Sequence, residues 1–244
     1  MEIGLRYIER GEGFPLILLH GNGEDHTYFK RQMEPFSGHF RVIAVDTRGH
    51  GESPRGDGPF TLARFAEDLR SFLDQHGIPK CHLLGFSDGG NVALLFALRY
   101  PDRVERLILN GANLDPAGVK IRTQLPIVLG WGLCRLCALF SRQARQNWEM
   151  LNLMVTQPHI HRAELAGLDM PVLVVAGERD MIRESHTRSI AANIPNSRLA
   201  ILPGDHFIAR RNWQGFNDTV LDFLLDRSGT GKRGEMKWRT IKIF

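Results

Sequence analysis

Apolar and polar positions along the chain follow two alternating rhythms. Short unbroken apolar runs occur at 15–20, 41–45 (Arg41-Val42-Ile43-Ala44-Val45), 81–86, 106–110, 171–176 and 198–202. Runs of that length, bounded by Gly, Pro or Asp, predict strands buried on both faces. A further strand over 2–9 precedes the turn at Gly11-Glu12-Gly13. Between the runs, apolar residues recur at helical spacing. Leu62, Phe65, Leu69, Phe72 and Leu73 place a helix over 61–76, started at Thr61 and stopped at Gly77. Helices are also predicted over 89–99, 183–193 and 208–226. Strand and helix in alternation predict the α/β class: a mostly parallel twisted sheet with helices on both faces.

Residues 113–165 break the alternation. They contain helical pieces and no convincing strand, and they separate the strands at 106–110 and 171–176. An insertion there projects from the carboxyl edge of the sheet, where open α/β folds bind ligands. The expected organisation is therefore a discontinuous core (1–112 and 166–227), a small helical cap of two or three helices (113–165) and a C-terminal tail (228–244). Trp131 and Trp148 in the cap are candidates for the wall of a substrate pocket, and they suit core packing equally well.

Composition narrows the class of protein. The 244 residues suffice for one sizeable core, and 43% apolar and 24% charged residues are ordinary for a globular chain. The net charge is +4, and the segment 228–244 carries five Lys/Arg against one Glu. Too few aromatics and no recognition module accompany those charges, so they read as a solvated extension and not as a nucleic-acid site. Cys134-x-x-Cys137 has no second Cys/His pair at metal spacing, and its apolar surroundings predict two buried thiols on one helix face. The greasy stretch 125–140 is interrupted by Pro126, Arg135 and two glycines and is too short to span a bilayer. The N-terminus lacks the basic-then-apolar pattern of a signal peptide. These features predict a cytoplasmic protein with no integral membrane segment.

The chemistry centres on Gly85-Phe86-Ser87-Asp88-Gly89, a G-x-S-x-G set between a predicted strand and a predicted helix. In that context the serine is lifted out of the packing on a sharp turn, and the free N–H groups of the helix N-terminus face it. An activated serine needs a base, and the base needs an orienting acid. His206, after the last predicted strand, is the candidate base; His20 and His50 read as structural. Asp180, beyond the run 171–176, is preferred as the acid over Asp115, Glu178 and Asp205. The backbone amide of Asp88 and that of Asn22, in Leu18-Leu19-His20-Gly21-Asn22-Gly23, are candidates for an oxyanion hole.

Taken together, His20-Gly21-Asn22-Gly23, Asp46-Thr47-Arg48-Gly49-His50-Gly51-Glu52-Ser53, Gly85–Gly89, Gly177–Asp180 and Gly204-Asp205-His206 resemble the α/β-hydrolase superfamily over about residues 3–226. The resemblance implies Ser87 as nucleophile, His206 as base, Asp180 as acid, a mobile cap and no cofactor. Ser87-Asp88-Gly89-Gly90 is similar to the biphenyl-hydrolase-like (valacyclovir hydrolase) group, in which the acidic residue after the serine is linked to substrates with a free α-amino group. The expected activity is hydrolysis of small carboxylic esters through an acyl-enzyme, with amino-acyl esters preferred. On the same triad, hydrolysis of a C–C bond and cofactor-free perhydrolysis are alternatives, and a non-catalytic hydrolase-fold binding protein is a third. The expected partner is a small-molecule ester.

Overall fold

The computed structural model describes residues 3–227. Seven strands form one sheet: β1 (Tyr7–Arg10), β2 (Pro15–Leu19), β3 (Arg41–Val45), β4 (Cys81–Phe86), β5 (Val104–Asn110), β6 (Val172–Arg179) and β7 (Ser197–Asp205). Their order is β1-β3-β2-β4-β5-β6-β7. Only β1 runs antiparallel, pairing with β3 from Tyr7 opposite Val45 to Arg10 opposite Val42. The expected first strand thus begins later than residue 2. The six remaining strands are parallel and four of them, β2 to β5, are almost wholly buried.

Alternation within the apolar runs serves two cores. Leu16, Leu18, Val42, Ala44, Leu84 and Phe86 face α1 (Lys30–Ser37) and α8 (Trp213–Leu224). Ile17, Leu19, Ile43, Val45 and Leu83 face α2 (Leu62–Gln75) and α3 (Asp88–Arg99). Because β2 to β5 are covered on both sides, their runs are continuously apolar rather than alternating. Helix α2 buries Leu62, Phe65, Leu69, Phe72 and Leu73, and the Thr61 side chain caps it by accepting from the Arg64 amide.

Between β5 and β6 the chain forms α4 (Ile121–Cys137), α5 (Arg142–Thr156) and a 3₁₀ turn at Arg162–Gly167. After β6 comes α6 (Glu184–Ala192). The single helix expected over 208–226 is two, α7 (Ile208–Arg211) and α8, broken at Asn212. The expected pair of buried thiols is not found: Cys137 is exposed and Cys134 half-buried. The basic segment 228–244 lies outside the described residues.

Candidate active site

Strand β4 delivers the chain into α3 with almost no room to turn. A Cβ at position 85 would run into the carbonyl of Gly89, and one at 89 into the carbonyls of Leu19 and His20. Ser87 takes φ 53° and ψ −121°, a conformation rarely adopted by a residue with a side chain. Its amide donates to the Asn110 carbonyl at 2.8 Å and its carbonyl accepts from Asn91 at 3.0 Å, so both sides of the turn are pinned.

The three side chains that the sequence placed on loops after strands converge. His206 Nε2 lies 3.0 Å from Ser87 Oγ. His206 Nδ1 lies 2.7 Å from Asp180 Oδ1, which also accepts from the Ile182 amide at 2.8 Å. Asp180 and His206 are buried, at 2% and 4% exposure. The imidazole rests against Phe86, ring centroids 4.8 Å apart. With Oδ1 accepting, Nδ1 carries a proton and Nε2 presents its lone pair to the serine hydroxyl.

Asp88 begins α3, so its amide belongs to the first turn, whose N–H groups have no intrahelical acceptor. Its carboxylate is buried. Oδ2 accepts from Asn22 Nδ2 at 2.8 Å and Oδ1 from Asn91 Nδ2 at 3.2 Å. Burial pushes the Asp88 carboxyl up, and the two amide donors oppose that shift. Asn22 also donates to the Met150 carbonyl at 2.9 Å, which ties the loop after β2 both to α3 and to α5. A narrow cavity beside Asp88 is lined by His20, Asn22, Thr47, His50, Phe65 and Leu153.

The other motif residues hold this loop in place. His20 Nε2 accepts from the Thr47 amide at 3.0 Å, leaving Nδ1–H for the Gly21 carbonyl at 2.8 Å. Asp46 accepts from the amides of His26 and Glu52. Arg48 is fully buried and makes two 2.6 Å bonds to Asp68 on α2. These are structural roles.

Trp131 and Trp148 are half-buried in the insertion. Trp131 Nε1 donates to Asn152 Oδ1 at 3.0 Å, joining α4 to α5, and neither tryptophan lines the cavity beside Asp88. A larger groove, about 670 Å³, is lined by Arg55, Asp57, Arg142, Arg145, Gln146 and Glu149. It contains no nucleophile beside a base, unlike the cluster around Ser87.

Two residues at the site escape sequence reasoning. Gly111, with φ +63°, follows β5, and a Cβ there would stand 2.7 Å from His206 Cε1. A glycine directly after a strand was its only signal. Lys120 Nζ donates to the Asp180 carbonyl at 2.5 Å and carries no sequence signal.

Residues 15–132 match the family model described as alpha/beta hydrolase fold. The serine hydrolase BPHL of Homo sapiens is 30% identical over 249 residues, covering 91% of this chain and 83% of that protein. The 2-hydroxymuconate semialdehyde hydrolase of Pseudomonas putida is 38% identical over 209 residues, covering 79% of this chain and 70% of that protein. Among solved structures, the enol-lactonase of Burkholderia xenovorans LB400 superposes with a TM-score of 0.75 at 24% identity, over 91% of this chain and 97% of that one.

Proposed function

Because the chain belongs to the alpha/beta hydrolase fold family, we propose that it is a serine hydrolase that cleaves small carboxylic esters through an acyl-enzyme. The observation that carries this reading is the continuous Ser87–His206–Asp180 hydrogen-bond chain, 3.0 and 2.7 Å, ending on a serine in a strained turn. His206 Nε2 takes the hydroxyl proton as Ser87 Oγ attacks the acyl carbon. Asp180, held by the Ile182 amide and unable to turn away, stabilises the imidazolium and its tautomer. The amides of Asn22 and Asp88 receive the oxyanion. The imidazolium then protonates the leaving alkoxide. Water, deprotonated by the same nitrogen, releases the acid and restores Ser87.

The charge at Asp88 supports a preference within that class. A buried carboxylate bound only by two neutral amides, next to a developing oxyanion, favours a substrate that brings its own cation. Amino-acyl esters do so. Asp88→Asn, close in shape to Asp, lowers the ratio of amino-acyl to neutral ester turnover by about tenfold under this reading. An unchanged ratio removes the preference and leaves the esterase assignment standing.

Ser87→Ala is the primary test. It abolishes turnover of p-nitrophenyl acetate and labelling by a fluorophosphonate, with an unchanged melting temperature. Labelling retained by the alanine variant refutes the nucleophile. A second reading, hydrolysis of a C–C bond, is favoured by the 38% identity to 2-hydroxymuconate semialdehyde hydrolase. Assaying a ring-cleavage product beside short acyl esters separates the two.

A further inference from the structure

Helix α4 carries its apolar side outwards. Ile121, Leu125, Leu129, Leu133, Leu136 and, one turn beyond the helix, Phe140 are 55–91% exposed. At 3.6 residues per turn they fall within about 140° of the circumference, a continuous stripe along the whole helix. The opposite side is the one that packs: Trp131 reaches Asn152, and Gln124 reaches the Met154 carbonyl, both on α5. No residue of α4 is buried. A contiguous stripe of large exposed side chains at this length is a binding face and not the scatter of a normal surface.

The charge around the stripe selects its occupant. Residues 116–148 contain no Asp or Glu, yet they hold Lys120, Arg122, Arg135, Arg142 and Arg145. Arg122 is exposed within the arc of the stripe at its N-terminal end, Arg135 is exposed at its edge with its guanidinium 5.6 Å over the Trp131 ring, and Arg142 and Arg145 are exposed on the first turn of α5. The next acid, Glu149, is already held by Arg55 at 2.8 and 2.9 Å. A second copy of the chain would set this cationic rim against itself in an isologous contact. The basic segment 228–244 repeats the same sign. A surface that offers apolar depth behind a layer of anions matches both features. Among the described residues no helix is long and apolar enough to cross a membrane. The match is therefore to the interface and not to the bilayer interior.

We propose that the outer face of α4 docks on an anionic phospholipid bilayer, with the helix lying in the interface plane. The leucines and Phe140 enter the acyl boundary, and the four arginines meet the headgroup phosphates. Docking through α4 is independent of which bond Ser87 cleaves.

The test uses the full chain and sedimentation with vesicles of phosphatidylcholine alone or mixed with phosphatidylglycerol. The protein sediments with the mixed vesicles, and rising salt releases it. The triple variant Leu129→Ser, Leu133→Ser, Leu136→Ser partitions about tenfold less or weaker still, while its turnover of a soluble ester is unchanged. A fluorophore sensitive to polarity on Cys137, in a Cys134→Ala background, shifts to the blue when vesicles are added. Three results overturn the proposal. The protein fails to sediment with mixed vesicles at low salt. The triple variant binds as well as the parent, which assigns binding to the basic segment 228–244. Or the parent is a dimer that the triple variant dissociates, which assigns the face to a second copy.

Discussion

At the scale of single residues, the candidate site depends on where a side chain is absent as much as on where one is present. Gly111 leaves the space in which the His206 ring sits, and its φ of +63° favours glycine independently. Gly111→Ala therefore pushes the imidazole away from Ser87 Oγ. A displacement approaching 1 Å costs about a hundredfold in kcat, with KM little changed. Steady-state kinetics, with a circular dichroism melt to show that the variant folds, checks this; a kcat within threefold of the parent contradicts it. Ser87, Asp180 and His206 were legible because each follows an apolar strand, and parallel strands bring such positions to one edge. Gly111, Lys120 and the Asn22 side chain were not. Their parts are set by approaches between segments distant in the chain: Gly111 to His206, Lys120 to the Asp180 carbonyl, Asn22 to Asp88 and Met150. No local pattern encodes such approaches.

At the scale of elements, the strands and the α2 and α3 helices were readable because their apolar spacing is clean. Helix α1 was not, since it buries a polar residue and contains Pro35. Gln32 is fully buried, and its Nε2 donates to the Ala209 carbonyl and to Asn217 Oδ1, both at 2.8 Å. Asn217 in turn donates to the Arg31 carbonyl. One amide thus ties α1 to α7 and α8, a substitute for the apolar contact that a pattern would have shown. The break at Asn212 has a similar cause. Its side chain donates to the Pro203 carbonyl at 2.9 Å, which holds the chain back against β7 and ends α7. Gln32→Leu keeps the volume but strands two buried acceptors. It destabilises the fold by about 2 kcal/mol, read as a lower urea midpoint at unchanged slope. A midpoint equal to the parent's means that water replaces the lost donor and the link is dispensable.

At the scale of the whole molecule, burial of ionisable groups sets a pH window for stability. Burial lowers the pKa of His20, and brings those of His50 and His82 down from 6.5 to about 4. An unfolded chain accepts protons on these residues at pH values where the folded chain refuses them. Their contribution is thus present above pH 6.5 and lost as pH falls towards 4. Glu24 acts in the opposite sense. It follows the Asn22 loop, burial raises it from 4.5 to about 7, and Arg210 at 3.9 Å offsets only part of that. The folded chain keeps this proton where the unfolded chain has released it. The Glu24 contribution is therefore complete below pH 4.5 and lost as pH rises through 7. Glu24→Gln removes the second effect and leaves the first. Relative to the parent, the variant gains stability steadily from pH 4.5 to 7, by about 2 kcal/mol in total once solvent screening of this part-exposed group reduces the roughly 3 kcal/mol that the full shift corresponds to, and the gain is level beyond pH 8. Urea unfolding of both proteins at pH 5, 6, 7 and 8 measures the difference directly. Parallel curves would mean that Glu24 titrates alike in the folded and unfolded chains. A diverging pair would show that the loop carrying Asn22 holds a carboxyl whose ionisation the fold opposes at neutral pH.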